Sequence, residues 1–311
     1  MSTSYDAVLL IAFGGPTRPE EIRPFLTRVA HGIPIPAARL EEVAHHYEAV
    51  GGKSPLNEIT IRQANALKNI LNDQLPVYVG MRNASPFFSE TLKRMADDGV
   101  QRALGFILSS HRTEASWERY QTNILDARAE IGGVAPEVDY CDGWHDHPLF
   151  IQTWAELIQA ALSRIETDKQ KSTPLIFTAH SLPTTMAAGS PYVEQVESSA
   201  HLIAEKLNHP RWSLAYQSRS GRPTDPWLEP EISPTIRDLA AQSEKQIVIA
   251  PIGFVCDHVE VLYDLDIEAK KLAGDLGVAL IRASCPNDHP TFVRMIADVI
   301  ATKLKSTEDR R

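Results

Sequence analysis

Between Asp257 and Glu268 the stretch DHVEVLYDLDIE holds five carboxylates and no lysine or arginine, and three of them, Glu260, Asp264 and Glu268, are spaced by four. At ~100° per residue such a series drifts by only ~40° per step, so the three acids share one side of a helix. Leu262, Leu265, Ala269 and Leu272 form an apolar stripe on roughly the opposite side. The solvated face of an amphipathic helix accounts for such a row by itself. Two features point further. Like charges at i,i+4 repel by a few tenths of a kcal/mol, and neither Glu260 nor Asp264 has a base three or four residues away to offset this. The helix also leaves the end of a strand pattern, where an open sheet forms its crevice. Oxygen ligands leading inward suit a divalent cation taken from water and handed along. A slight underwinding towards π geometry would bring the row into closer line.

His180, in TPLIFTAH, raises a matching question. A lone histidine at a strand end is ordinarily structural. Set across a crevice from Glu260, it becomes half of a pair in which imidazole accepts a proton and carboxylate binds a cation or a second proton. His145 and His147, in GWHDHP, have a spacing that clips a metal on a strand but not on a helix, and Pro148 after them marks a helix start with Asp146 as its cap. His258 suits either an outer metal site or a hydrogen bond supporting its neighbours.

The elements that must position these groups follow from apolar runs. AVLLIAF, PVYVGMR, RALGFIL and EVDYCD, then TPLIFTAH, SLAYQS, QIVIAPIGF and VALIRA, alternate with helix-length amphipathic segments. Runs that are continuously apolar, rather than alternating, suit parallel sheets covered on both faces. The expectation is an α/β fold of two doubly wound domains, each with a four-stranded parallel sheet. The changeover falls in DGWHDHP, giving domains 1–145 and 146–311, the second carrying His180 and Glu260. A final helical pattern at about 290–305 can pack on either. AFGGP and TAHSLP, each following the first strand of its half, suggest a weak duplication. Ligands bind beyond the carboxyl ends of such strands, where the winding reverses. The polar residues there are His180 and Ser181; Gln217, Ser218 and Arg219; Cys256, Asp257 and His258; and, in the first half, Arg82, Asn83 and Ser109 to His111.

With 311 residues and 43% hydrophobic content the chain can bury two ordinary cores, and no apolar run is long enough to cross a bilayer. MSTSYDAVLLIAFGG has no basic residue ahead of its apolar run, so it reads as a strand rather than a signal peptide, and a cytoplasmic location is expected. A net charge of −9 argues against nucleic acid and against stable insertion in an anionic membrane. Cys141, Cys256 and Cys285 are too few and too far apart for a disulfide framework, a CxxC knuckle or a four-cysteine cluster, and are expected as buried thiols.

LLIAFGGP, HYEAVGGKSPLNEIT, FTAHSLP, YQSRSGRPTDPWLEP and APIGFVCDHVEVLYDLDIEA, in this order, resemble the ferrochelatase family over essentially the whole chain. The resemblance implies two Rossmann-like domains with a porphyrin cleft between them and a C-terminal helix returning to the first. It implies a lyase-class metal chelatase of haem biosynthesis that inserts Fe(II) into a porphyrin and releases two protons. His180 and Glu260 become the catalytic pair, and His180, Glu260, Asp264 and Glu268 the residues that bind or conduct the metal. Phe13, Met81, Trp227, Ile252 and Phe254 become candidate walls for the ring, and Ser54 and Arg82 candidate propionate anchors.

Some soluble relatives carry tyrosine where Phe13 stands, and relatives often place arginines in the stretch matching RVAHGIPIP, which has none after Arg28. The chain has neither the greasy insertion of membrane-docked relatives nor their cysteine-bearing extension. The expectation is a monomer with Fe(II) as substrate, no permanently bound cofactor and no iron–sulfur cluster, in at most transient contact with other haem-pathway proteins. Coproporphyrin III, with four propionates, is favoured over protoporphyrin IX. The competing readings are a cobalt chelatase of a sirohydrochlorin-type ring and a non-catalytic haem or porphyrin carrier.

Overall fold

The computed structural model describes residues 5–32, 35–72, 74–220 and 224–308. All eight apolar runs form strands: β1 (Ala7–Ala12), β2 (Val77–Met81), β3 (Arg102–Ile107), β4 (Glu137–Tyr140), β5 (Leu175–His180), β6 (Trp212–Gln217), β7 (Gln246–Ala250) and β8 (Ala279–Arg282). They pair in parallel in two four-stranded sheets, ordered β2-β1-β3-β4 and β6-β5-β7-β8. Every residue of β1 is buried, as a strand covered on both faces requires. In each sheet the chain starts on an inner strand, adds one neighbour, and crosses to the other side. The winding therefore reverses between β1 and β3, and between β5 and β7.

The helices of the first half are α1 (Ile22–Val29), α2 (Ala37–Ala49), α3 (Leu56–Ile70), α4 (Phe88–Asp97) and α5 (Arg119–Ile131). Those of the second are α6 (Pro148–Leu162), α7 (Thr184–Ala188), α8 (Tyr192–Leu207), α9 (Ile232–Ala241), α10 (Val259–Leu262) and α11 (Lys270–Asp275), followed by α12 (Pro290–Glu308). The chain divides into two compact units, one of residues 1–109, 115–143 and 288–311, the other of residues 110–114 and 144–287. In the first, α12 packs on α3 and against β3. Arg62 pairs with Asp288 at 2.9 Å and Lys303 with Asp142 at 3.1 Å, tying the returning helix to its unit. In the second, Ile176, Ile247 and Ile249 of the sheet meet Ile236 of α9 and the residues that follow β7.

The cap of α6 differs from the sequence expectation. His147, not Asp146, occupies the N-cap, its Nδ1 accepting the Leu149 N–H at 3.2 Å. A ring nitrogen serves there as well as a carboxylate oxygen, because the orphan donor needs only a lone pair in reach.

The likeness of the two halves extends to backbone detail. Met81 N–H donates to Pro86 O and Tyr216 N–H donates to Pro230 O, each at 2.8 Å. Ala12 is in register with Met81, and Ala179 with Tyr216. Phe13 in the first unit thus stands where His180 stands in the second.

Candidate active site

His180 closes β5, at the reversal between β5 and β7. The loop after β7 is drawn tightly against β5: Gly253 N–H donates to Thr178 O at 3.1 Å, and a Cβ on Gly253 would lie 2.8 Å from the Ala179 backbone. Only glycine allows this approach. The chain then enters α10, whose N-cap is His258 with Nδ1 accepting the Glu260 N–H at 3.3 Å. The His258 ring meets Phe254 edge-on at 4.8 Å, and burial lowers its pKa despite the opposing pull of Glu260 and Asp257. In this structure His258 supports its neighbours through a hydrogen bond.

Glu260 faces His180 across this gap, with Oε1 3.8 Å from His180 Nε2. That distance is charge contact, beyond a hydrogen bond. His180 Nδ1 hydrogen-bonds the Ser181 carbonyl, which can only accept, so the neutral ring carries its proton on Nδ1 and presents the Nε2 lone pair. The His180 carbonyl in turn accepts from Tyr192 Oη at 2.9 Å.

Beyond α10 the backbone widens into a π-helical segment, Asp264–Ala269, in which Glu268 N–H reaches back five residues to Tyr263 O at 3.0 Å. Val261, Leu265, Ala269 and Ala273 form a stripe of fully buried residues, at 0%, 0%, 1% and 0% exposure. This stripe replaces the one expected at α-helical pitch, which began at Leu262 and ended at Leu272. Wider winding aligns positions four apart, so the buried stripe and the acidic row both repeat by four, side by side rather than opposed. Glu260 and Asp264 are half-buried and Glu268 is exposed.

The five acids are sorted by their partners. Arg282, at the end of β8, forks onto Asp266 at 2.8 and 2.7 Å and reaches Asp257 at 3.0 Å. Asn287 Nδ2 donates to the second Asp257 oxygen at 2.8 Å. Asp264 accepts from Ser218 Oγ. Arg282 lies 16 and 25 residues from these acids, so helix spacing could not reveal it; the strand-end rule applied to VALIRA would have. Among the described residues no three His, Cys, Asp or Glu side chains converge as one metal cage. Asp264 and Glu268 therefore do not join His180 and Glu260 around a single point here.

The remaining candidates divide by exposure. Phe254 and Trp227 are half-buried, and the Trp227 indole N–H has no hydrogen-bond partner among the described residues. In the first unit Phe13 is exposed, its ring edge-on to Phe25 at 6.2 Å, and Arg82 is half-buried. Met81 and Ile252 are fully buried. Ser54 is buried too. It is buried against Gly15, where a Cβ would lie 2.6 Å from its own, and its hydroxyl accepts the Leu56 N–H at 3.3 Å. Arg28 donates to Asn83 O at 3.1 Å and covers the Phe87 ring; Ile33 and Pro34 of the following loop lie outside the described residues. Cys141, Cys256 and Cys285 are buried free thiols.

The fold is that of the chelatases. It matches SirB from Bacillus subtilis with Fe3+ at a TM-score of 0.61 and 10% identity, over 97% of both chains. It matches the cobalt complex of the sirohydrochlorin chelatase SirB from Bacillus subtilis subspecies spizizenii at 0.56 and 9%, again over 97% of each. Sequence narrows the class: the ferrochelatase family profile matches residues 5–304, and the chain belongs to the ferrochelatase family. It is 41% identical to the coproporphyrin III ferrochelatase of Nocardia farcinica, over 98% of this chain and 90% of that protein. It is 39% identical to a ferrochelatase of Rhodopirellula baltica, over 98% and 88%.

Proposed function

We propose that this chain inserts Fe(II) into coproporphyrin III in the cytoplasm, with His180 and Glu260 as the catalytic pair. The observation that carries the reading is the His180–Glu260 geometry. Metallation exchanges two pyrrole N–H protons for one cation, so the site needs a base with a free lone pair, which a neutral imidazole supplies. The Ser181 carbonyl fixes the Nδ1–H tautomer, which leaves Nε2 to take a pyrrole proton. Glu260, 3.8 Å away, then faces an imidazolium and stabilises it, or takes the second proton itself.

Glu268, Asp264 and Glu260, graded from exposed to half-buried along widened helix, form the delivery route for iron. Carboxylates a turn apart pass a cation along and release it, as a substrate metal requires, whereas a closed cage would retain it. The accessible parts of the half-buried Phe254 and Trp227 offer apolar surface to the ring on the second unit. Preference for the four-propionate ring rests on the names of relatives such as the Nocardia farcinica enzyme.

The test is a single-turnover experiment under anaerobic conditions, with porphyrin binding followed by fluorescence quenching and metallation by absorbance. His180→Ala should bind porphyrin as the wild type does and metallate it at least about a hundredfold more slowly, the lower range for loss of a general base. A wild-type rate in that variant would remove His180 from the chemistry. Tight binding without turnover by the wild type would replace a chelatase with a carrier.

A further inference from the structure

Gln217 is the last residue of β6, in register with His180 on β5, and is buried at 3% exposure. Its side-chain oxygen accepts from Thr178 Oγ1 at 2.8 Å, and its side-chain nitrogen donates to the backbone carbonyl of Glu260 at 2.8 Å. Its own carbonyl accepts the Ser181 N–H at 2.7 Å. The Glu260 carbonyl can only accept, so it fixes the amide's orientation with nitrogen towards α10 and oxygen towards Thr178. One residue thus bonds the strand that carries His180, the residue that fixes the His180 tautomer, and the first turn of the helix that carries Glu260.

We propose that Gln217 is a positioning residue that sets the separation of His180 and Glu260, with Thr178 as its anchor on β5. The proposal rests on the reading of His180 and Glu260 as the catalytic pair. α10 is a short helix, Val259–Leu262, and the His258 cap supports its first turn from within the same loop. Gln217 brings a bond from another strand. Without it the Glu260 carbonyl and the Thr178 hydroxyl lose their partner in a buried place, and the first turn of α10 is free to shift relative to β5. Misplacement of a catalytic group by about 1 Å can cost up to a hundredfold in rate.

The decisive measurement is a double-mutant cycle on Fe(II) insertion using the full chain. Gln217→Met keeps length and bulk but removes both bonds; it should lower kcat about tenfold to a hundredfold with porphyrin KM changed less than about twofold. Adding Glu260→Gln to Gln217→Met should cost much less than Glu260→Gln does in the wild type, because Gln217 acts through Glu260. A merely structural residue would give multiplicative losses, and that outcome overturns the proposal, as does an unchanged kcat in Gln217→Met. Thr178→Val, which removes only the anchoring hydroxyl, supplies the same cycle should Gln217→Met fail to fold: a smaller fall in kcat, again not multiplicative with Glu260→Gln, supports the proposal, and a wild-type kcat contradicts it. If Glu260→Gln alone leaves the rate unchanged, the catalytic-pair reading fails, an outcome distinct from a null result at Gln217.

Discussion

At 3.8 Å His180 and Glu260 are near enough to share charge and too far apart to share a proton directly, which suits groups that must each meet a third partner. A second histidine of the same unit is handled in the opposite way. His111 is fully enclosed: Ser199 Oγ donates to the His145 carbonyl at 2.7 Å and so accepts from His111 Nε2 at 3.0 Å, while Ser110 Oγ donates to Nδ1 at 2.9 Å. Both ring nitrogens are satisfied with the ring neutral, and burial, aided by the nearby His145, lowers its pKa to about 3. The buried Tyr192 lies edge-on to it at 6.2 Å, and burial raises the pKa of that phenol. With a folded pKa below the unfolded ~6.5, the unfolded chain binds the proton the native state refuses, so stability is full above ~6.5 and falls as pH drops from there towards 3. His111→Gln should make the decline in urea-unfolding stability between pH 6.5 and 5 shallower, by at most ~1.4 kcal/mol per pH unit. An identical slope in both proteins would mean that His111 does not take up a proton on unfolding. The place of His180 at a strand end was legible from its apolar run. The burial of Met81, Ile252 and Ser54 was not, because position after a strand tells which end a residue occupies but not whether its side chain turns inward.

The element that distinguishes the site is the widened helix between Asp264 and Ala269. Its row of acids was visible as a spacing of four, and the spacing itself hinted at π winding. Its countercharge was not visible, because Arg282 arrives from β8 through the tertiary fold. Arg282 is 12% exposed and holds Asp257 and Asp266, 19% and 34% exposed, so it grips the acidic segment on both sides of Glu260 and Asp264. Arg282→Met should cost ~2–4 kcal/mol in thermal or urea unfolding, less than the ~3–5 of a fully buried pair because Asp266 keeps some water. Arg282→Lys should recover only part of that, since an ammonium cannot fork across both Asp266 oxygens while reaching Asp257. Equal stability of the lysine variant and the wild type would show that charge alone, not the fork, holds the segment.

Across the whole molecule the two halves repeat one plan, from strand order to the paired Met81–Pro86 and Tyr216–Pro230 bonds. The plan was legible because parallel strands buried on both faces announce themselves as apolar runs. His180 holds the position that Phe13 holds in the other half, and Phe13 has no lone pair or proton to offer. Among the described residues no helix is long and apolar enough to cross a membrane. The most direct test is an anaerobic absorbance assay of Fe(II) insertion by the full chain, run in parallel on coproporphyrin III and protoporphyrin IX. Faster turnover of coproporphyrin III is the predicted result; faster turnover of protoporphyrin IX, or turnover of neither, would contradict the account.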